Sequence, residues 1–174
     1  PFPPGDHVIR FVGEAATAYR TTFLLPVGIT APVRVEQRGW RLEFARIRFD
    51  LIPGLAYGPL LASAQNDTRL RFDTCEFVRT SGSPGLRFAE ASLGGGLELE
   101  NCLIEDCAVG VATTGSGILD VRDTAFLDCG VGVQAIEQVH LRIANSVFQA
   151  CGTGVVQSAE DTSYPDHRIE DSRF

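Results

Sequence analysis

The chain contains no lysine and no methionine, so each of its fifteen basic residues is an arginine. Without an amine side chain, Schiff-base catalysis and phosphate-loop lysine chemistry are excluded from this segment. Without a methionine, Pro1 is not expected to be a natural start, and the segment reads as a piece of a longer protein. Positive charge is in deficit, with a formal net charge of −7. A nucleic-acid binder needs a basic stripe to displace counterions from phosphates, so no nucleic-acid partner is expected. Aromatic platforms for stacking a sugar ring are sparse. Trp40, Tyr19, Tyr57 and Tyr164 are the only aromatic residues that are not phenylalanine, and they are widely spaced. There is no apolar run of about 18 residues and no signal-peptide pattern, so no membrane insertion is expected in this segment. No Cys-x-x-Cys pair and no histidine alternating with cysteine supplies a zinc template.

What is present is globular. Hydrophobic residues make up 44% and charged residues 21%, enough for one domain spanning residues 1–174. The 18 glycines and 9 prolines follow no three-residue period and read as turn punctuation.

The dominant feature is self-similarity. Leu70-Arg-Phe-Asp-Thr-Cys-Glu-Phe77, Leu97-Glu-Leu-Glu-Asn-Cys-Leu-Ile104, Leu119-Asp-Val-Arg-Asp-Thr-Ala-Phe126 and Leu141-Arg-Ile-Ala-Asn-Ser-Val-Phe148 follow one template. An earlier copy begins at Leu42 and a last one at His167, and the starts lie 28, 27, 22, 22 and 26 residues apart. Apolar residues take the first, third and eighth places. The first two alternate with polar residues, which is the periodicity of a strand with one buried face. The parity then shifts by one, so the chain must bend at the fifth place. That place holds Thr74, Asn101, Asp123, Asn145 or Asp171, short polar residues able to satisfy backbone groups in a tight turn. A third apolar pair follows beyond a glycine-containing turn, as in Val109-Gly110-Val111 and Val131-Gly132-Val133.

Each unit is thus three short strands separated by bends, with no helical stretch between copies. An antiparallel sandwich would need hairpin signals between neighbouring strands. A coil that stacks each strand on its equivalent one repeat later places like residues in columns, ~4.8 Å apart. The columns Leu70, Leu97, Leu119, Leu141 and Phe77, Ile104, Phe126, Phe148, Phe174 favour the coil. The expected fold is all-β, a parallel β-helix solenoid of about 22–28 residues per coil, right-handed by the crossover rule. Residues 42–174 are expected to form regular coils and residues 1–41 one or two irregular ones. The extra residues between Leu51 and Asn66, and between Thr80 and Gly96, are expected as loops or bulges on the solenoid's side.

Read in this way, residues 42–174 resemble the right-handed parallel β-helix, or pectate-lyase-like, superfamily. The resemblance is carried best by the Leu-x-Leu-x-Asn-Cys-x-Ile pattern at Leu97 to Ile104. It implies the fold and not one activity, because the superfamily includes polysaccharide lyases, polygalacturonases, tailspikes, adhesins and non-catalytic modules. Similar repeats are also appended to large bacterial proteins, membrane-bound signalling kinases among them. The Asn-Thr-Asp, Asp-Asp, Gly-His-Gly and Arg-Ile-Lys motifs of polygalacturonase-like enzymes are absent. Asp6-His7 and Asp166-His167 match a pectate-lyase dipeptide, but no Arg-x-Pro-x-x-Arg motif accompanies them. The resemblance implies an extracytoplasmic setting, which the unpaired cysteines argue against.

Cys75 and Cys102 share the sixth place of the repeat, where Thr124, Ser146 and Ser172 also stand. Cys107, Cys129 and Cys151 recur at a strict interval of 22 residues. The repeat dictates this spacing, so a buried, reduced thiol ladder is expected rather than a metal site or disulfides. His7, His140 and His167 are scattered, and His167 takes a leucine place near one end, which points to a surface or end-cap role rather than catalysis.

The remaining candidates are acidic. Glu98 with Asp120, and Asp106 with Asp128, are expected to stack on adjacent coils. Two outward carboxylates ~5 Å apart could hold calcium, or serve as acid and nucleophile on a sugar. Against this, Arg122 and Arg142 are placed to neutralise the face, which favours a solvated surface. The leading expectation is therefore a non-catalytic structural or binding module, without a cofactor, presenting an elongated face to a polysaccharide or a protein. The alternatives are a polysaccharide lyase or glycoside hydrolase using those four acids, and the extracytoplasmic sensor region of a larger bacterial receptor or kinase. Open solenoid ends expose unpaired strand edges, so end-to-end self-association is also expected.

Overall fold

A computed structural model describes residues 7–13, 21–24, 33–35, 40–51, 59–63, 69–79, 87–90, 96–114, 117–136, 139–158 and 167–174. Every strand pairing among them is parallel, between a strand and its equivalent one coil away. The first sheet runs β1 (His7–Val12), β4 (Trp40–Ala45), β7 (Arg69–Asp73), β10 (Gly96–Glu100), β13 (Ile118–Arg122), β16 (His140–Ala144) and β19 (Arg168–Glu170). The second runs β2 (Thr21–Leu24), β5 (Ile47–Leu51), β8 (Glu76–Arg79), β11 (Leu103–Glu105), β14 (Ala125–Leu127) and β17 (Val147–Gln149). The third side is built from β3 (Val33–Val35), β6 (Pro59–Ser63) and β9 (Arg87–Glu90), and from β12 (Val109–Thr114), β15 (Val131–Ile136) and β18 (Thr153–Ser158). β9 lies against β12, so the two groups continue one another.

The register reproduces the sequence columns. Leu42, Leu70, Leu97, Leu119 and Leu141 lie directly over one another. So do Phe49, Phe77, Ile104, Phe126 and Phe148 on the second sheet. All ten side chains are buried, and with Phe44, Phe72, Leu99, Val121 and Ile143 they form one continuous core. Burying each such side chain contributes roughly 1.5–3 kcal/mol.

The bends are where the sequence predicts them. Thr74, Asn101, Asp123, Asn145 and Asp171 have φ between 45° and 55°, and Arg46 at the same place has 57°. Asp and Asn tolerate this left-handed conformation better than most residues. The sixth place then clamps the bend. The Thr124 hydroxyl donates to the Arg122 carbonyl at 2.8 Å, and the Ser146 hydroxyl to that of Ala144 at 2.9 Å. Each hydroxyl oxygen also accepts from the preceding coil: Cys102 N–H donates to Thr124 Oγ1, and Thr124 N–H to Ser146 Oγ, both at 3.4 Å. Cysteine, threonine and serine share the column because each is small and able to donate.

The structure adds to two expectations and shows one further corner. The first coil, expected to be irregular, has strands that pair in register with the second coil on all three sides. The regions expected as loops or bulges after Leu51 and after Thr80 each contain a strand, β6 and β9. Their short runs, Pro59–Ser63 and Arg87–Glu90, lack the valine-glycine-valine signature that marks the same side later. A second left-handed corner, at Asp106, Asp128 and Ala150, closes the second strand of the later coils.

Candidate functional site

The outward positions of the first sheet form a column of charge. Arg10, Glu43, Arg71, Glu98, Asp120, Arg142 and Arg168 stand in register on seven successive strands. The strand period puts them outside for the same reason that it puts the leucines inside. Beside this column, Asp73, Glu100, Arg122 and Glu170 point the same way.

Most of these charges are matched within the molecule. Arg10 Nε lies 3.4 Å from Glu43 Oε2, and Arg71 Nη2 donates to Glu100 Oε2 at 2.6 Å. Glu98 and Asp120 are direct neighbours, as expected, and the two like charges are compensated from opposite sides. Arg41 reaches along the helix to Glu98 at 3.5 Å. Arg122 holds Asp120 bidentately, Nε to Oδ1 at 2.9 Å and Nη2 to Oδ2 at 2.6 Å. The hydrogen bonds and charge of Asp120 push the Arg122 pKa up from its ordinary value.

Two depressions lie along this face. One, of about 340 Å³, is lined by Arg71, Glu98, Glu100, Asp120 and Arg122. The other, of about 640 Å³, is lined by Asp120, Arg122, Arg142, His167, Arg168 and Glu170. Asp120 and Arg122 belong to both, so the pair forms an elongated groove.

The structure separates the four candidate acids. Glu98 and Asp120 are on β10 and β13 and face the groove. Asp106 and Asp128 are equivalents of each other, but they sit at the corner beyond the second sheet. Their amides donate to the Leu127 and Gln149 carbonyls of the next coil. The two acidic pairs therefore do not share one strand face. Arg142, expected to neutralise the acids, has no ion-pair partner among the described residues, so only Arg122 of the two does so.

The cysteines are all free. Cys75 and Cys102 are buried, each donating back to the carbonyl two residues earlier, at 3.5 and 3.3 Å. Desolvation pushes the Cys75 thiol up from 9.0 to about 11 and that of Cys102 to about 12. Cys107, Cys129 and Cys151 form a second column. Hydrogen bonding from the Cys107 thiol, helped by the Cys107 backbone and the Cys151 thiol, lowers Cys129 against its desolvation. Among the described residues, no group of three His, Cys, Asp or Glu side chains is arranged to hold a metal ion. His167 takes the leucine column, and its Nδ1 accepts from Leu141 N–H at 3.4 Å. Tyr19, Tyr57 and Tyr164 lie outside the described residues. No helix among the described residues is long and apolar enough to cross a membrane.

The family model described as right handed beta helix region matches residues 58–173. Comparison with curated proteins and with solved structures gives no match.

Proposed function

The chain belongs to the right-handed β-helix family, and from that premise we propose that it is a non-catalytic binding module presenting the groove of its first sheet to a polysaccharide or a protein. The observation that carries this reading is the state of Asp120. Both of its oxygens accept hydrogen bonds from one guanidinium. That grip turns the carboxylate back along its own strand, and a reacting carboxylate would have to share it or give it up. A charge-lined groove along a rigid stack of coils offers instead many weak polar contacts in a fixed array. No cofactor enters this reading.

A second reading, a glycoside hydrolase or polysaccharide lyase with or without calcium, is favoured by one observation. Glu98 and Asp120 are direct cross-strand neighbours, and strand spacing sets their backbones ~4.8 Å apart, which lets their carboxyl groups reach the separation used by retaining enzymes. Incubation with acidic and neutral polysaccharides, with and without calcium, separates the two readings. The module reading expects retention of the protein on a polymer or protein partner with no product released. Product release that disappears in Asp120→Ala would overturn it.

A further inference from the structure

Two like-charge pairs stand in register on the groove, and the molecule treats them differently. The acidic pair, Glu98 and Asp120, is compensated by Arg41 and by the bidentate Arg122. The basic pair, Arg142 and Arg168, is also a direct cross-strand pair. Arg168 is held by Glu170, but Arg142 is exposed and has no ion-pair partner among the described residues. Asp120 is its neighbour on the other side, and both Asp120 oxygens accept from Arg122 instead. Like charges placed directly opposite each other across a strand pair are unfavourable unless something lies between them. Both arginines line the 640 Å³ depression, with Arg122 and His167 on its wall and the two acids there, Asp120 and Glu170, each paired to an arginine of its own strand.

We propose that Arg142 and Arg168 form an oxyanion-binding site at this end of the groove, taking a carboxylate or sulfate group of the partner. A guanidinium presents a planar fork of donors, and a second fork one strand away lets a single compact oxyanion accept from both. The site deepens the groove reading and rests on it for the identity of the partner, but not for the anion itself.

The test is an NMR titration of the whole chain, following arginine Nε–Hε signals. Sodium sulfate and sodium acetate are the two probes, each added at constant ionic strength against chloride. Arg168 gives Glu170 one nitrogen, Nη2, so the expected result is a saturable shift at Arg142 and Arg168 and none at Arg71, which lies outside this depression. Arg142→Gln weakens the response at least about tenfold, and Arg142→Lys, which keeps charge without the fork, falls between. Tighter sulfate identifies a sulfate ester as the group, and tighter acetate a carboxylate. Shifts that grow linearly, that appear equally at Arg69, or that persist in Arg142→Gln overturn the site. Saturable binding of a probe without retention on any polymer or protein would overturn the groove reading and leave the site standing.

Discussion

The rings of Phe126 and Phe148 stack with centroids 4.7 Å apart and planes within 2° of parallel. Residues one repeat apart in sequence are thus in van der Waals contact in space. The same contact recurs between Phe49 and Phe77, at 4.7 Å and 3°. The core is a set of such columns, so each coil is stabilised mainly by its two neighbours.

Truncating one ring should therefore be felt on both sides. Phe126 is fully buried, and Phe126→Ala should cost about 3–5 kcal/mol. Phe126→Leu should cost less, because leucine resembles the isoleucine already present at place 104. Denaturant unfolding of the two variants measures the order, and equal stability of wild type and Phe126→Ala would contradict the columnar core.

Glycine makes room for this column from the third side. A Cβ at Gly132 would lie 2.5 Å from Phe148 Cδ1 and 2.6 Å from the Gly154 carbonyl oxygen. At Gly110 the corresponding atoms are Phe126 Cδ1 at 2.8 Å and the Gly132 oxygen at 2.6 Å. Gly132→Ala should destabilise by about 1–3 kcal/mol as an overpacking change. A melting temperature unchanged by this substitution would show that the ring can move aside freely.

The second left-handed corner offers the opposite sign. Ala150 has φ of 54°, where its equivalents are Asp106 and Asp128. A left-handed alanine costs roughly 1–2 kcal/mol, and glycine removes this at some cost in unfolded-state entropy. Ala150→Gly should leave stability unchanged or raise it by up to about 1 kcal/mol. A clear loss, read by chemical denaturation, would place that corner in another conformation.

Cys75 and Cys102 predict an alkaline stability limit. Their folded-state pKa values, about 11 and about 12, lie above the ordinary 9.0 because burial disfavours the thiolate. Above pH 9 the unfolded chain therefore loses thiol protons that the folded chain keeps, and stability falls as pH rises. The contribution is complete below about pH 9 and is lost progressively toward pH 11 for Cys75 and pH 12 for Cys102. Each group steepens the decline by at most about 1.4 kcal/mol per pH unit. The double variant Cys75→Ser, Cys102→Ser places serine where Ser146 and Ser172 already stand, and its stability should fall less steeply between pH 9 and 11. Parallel profiles for wild type and variant would contradict the assignment.

Much of this architecture is legible because the repeat forces like residues into contact. The shift of parity after Leu99 locates the bend, and Asn101 supplies the side chain that tolerates it. The acidic pair at Glu98 and Asp120 could also be read in register. The pairing of charges could not, because Arg41 reaches Glu98 on a strand two coils away in the stack. Nothing in strand periodicity specifies how far a guanidinium extends or which of two acids it takes. Arg142 neighbours Asp120 across the strands and Arg122 along its own strand, and only the bidentate grip of Arg122 shows which of the two takes it. Asp106 and Asp128 carried a signal that pointed elsewhere. They stand five places after Asn101 and Asp123, a regularity that marks a second corner as well as a charge.

The most direct test concerns the backbone register on which columns, groove and oxyanion site all depend. The Val131 amide donates to the Ala108 carbonyl at 2.8 Å, and the Thr153 amide to the Gly130 carbonyl at 2.9 Å. Scalar couplings across hydrogen bonds, read by NMR between amide nitrogen and acceptor carbonyl carbon, should connect these two pairs. Couplings that instead link strands in opposite directions, or that pair Val131 with any residue outside the preceding coil, would contradict the stacked parallel solenoid.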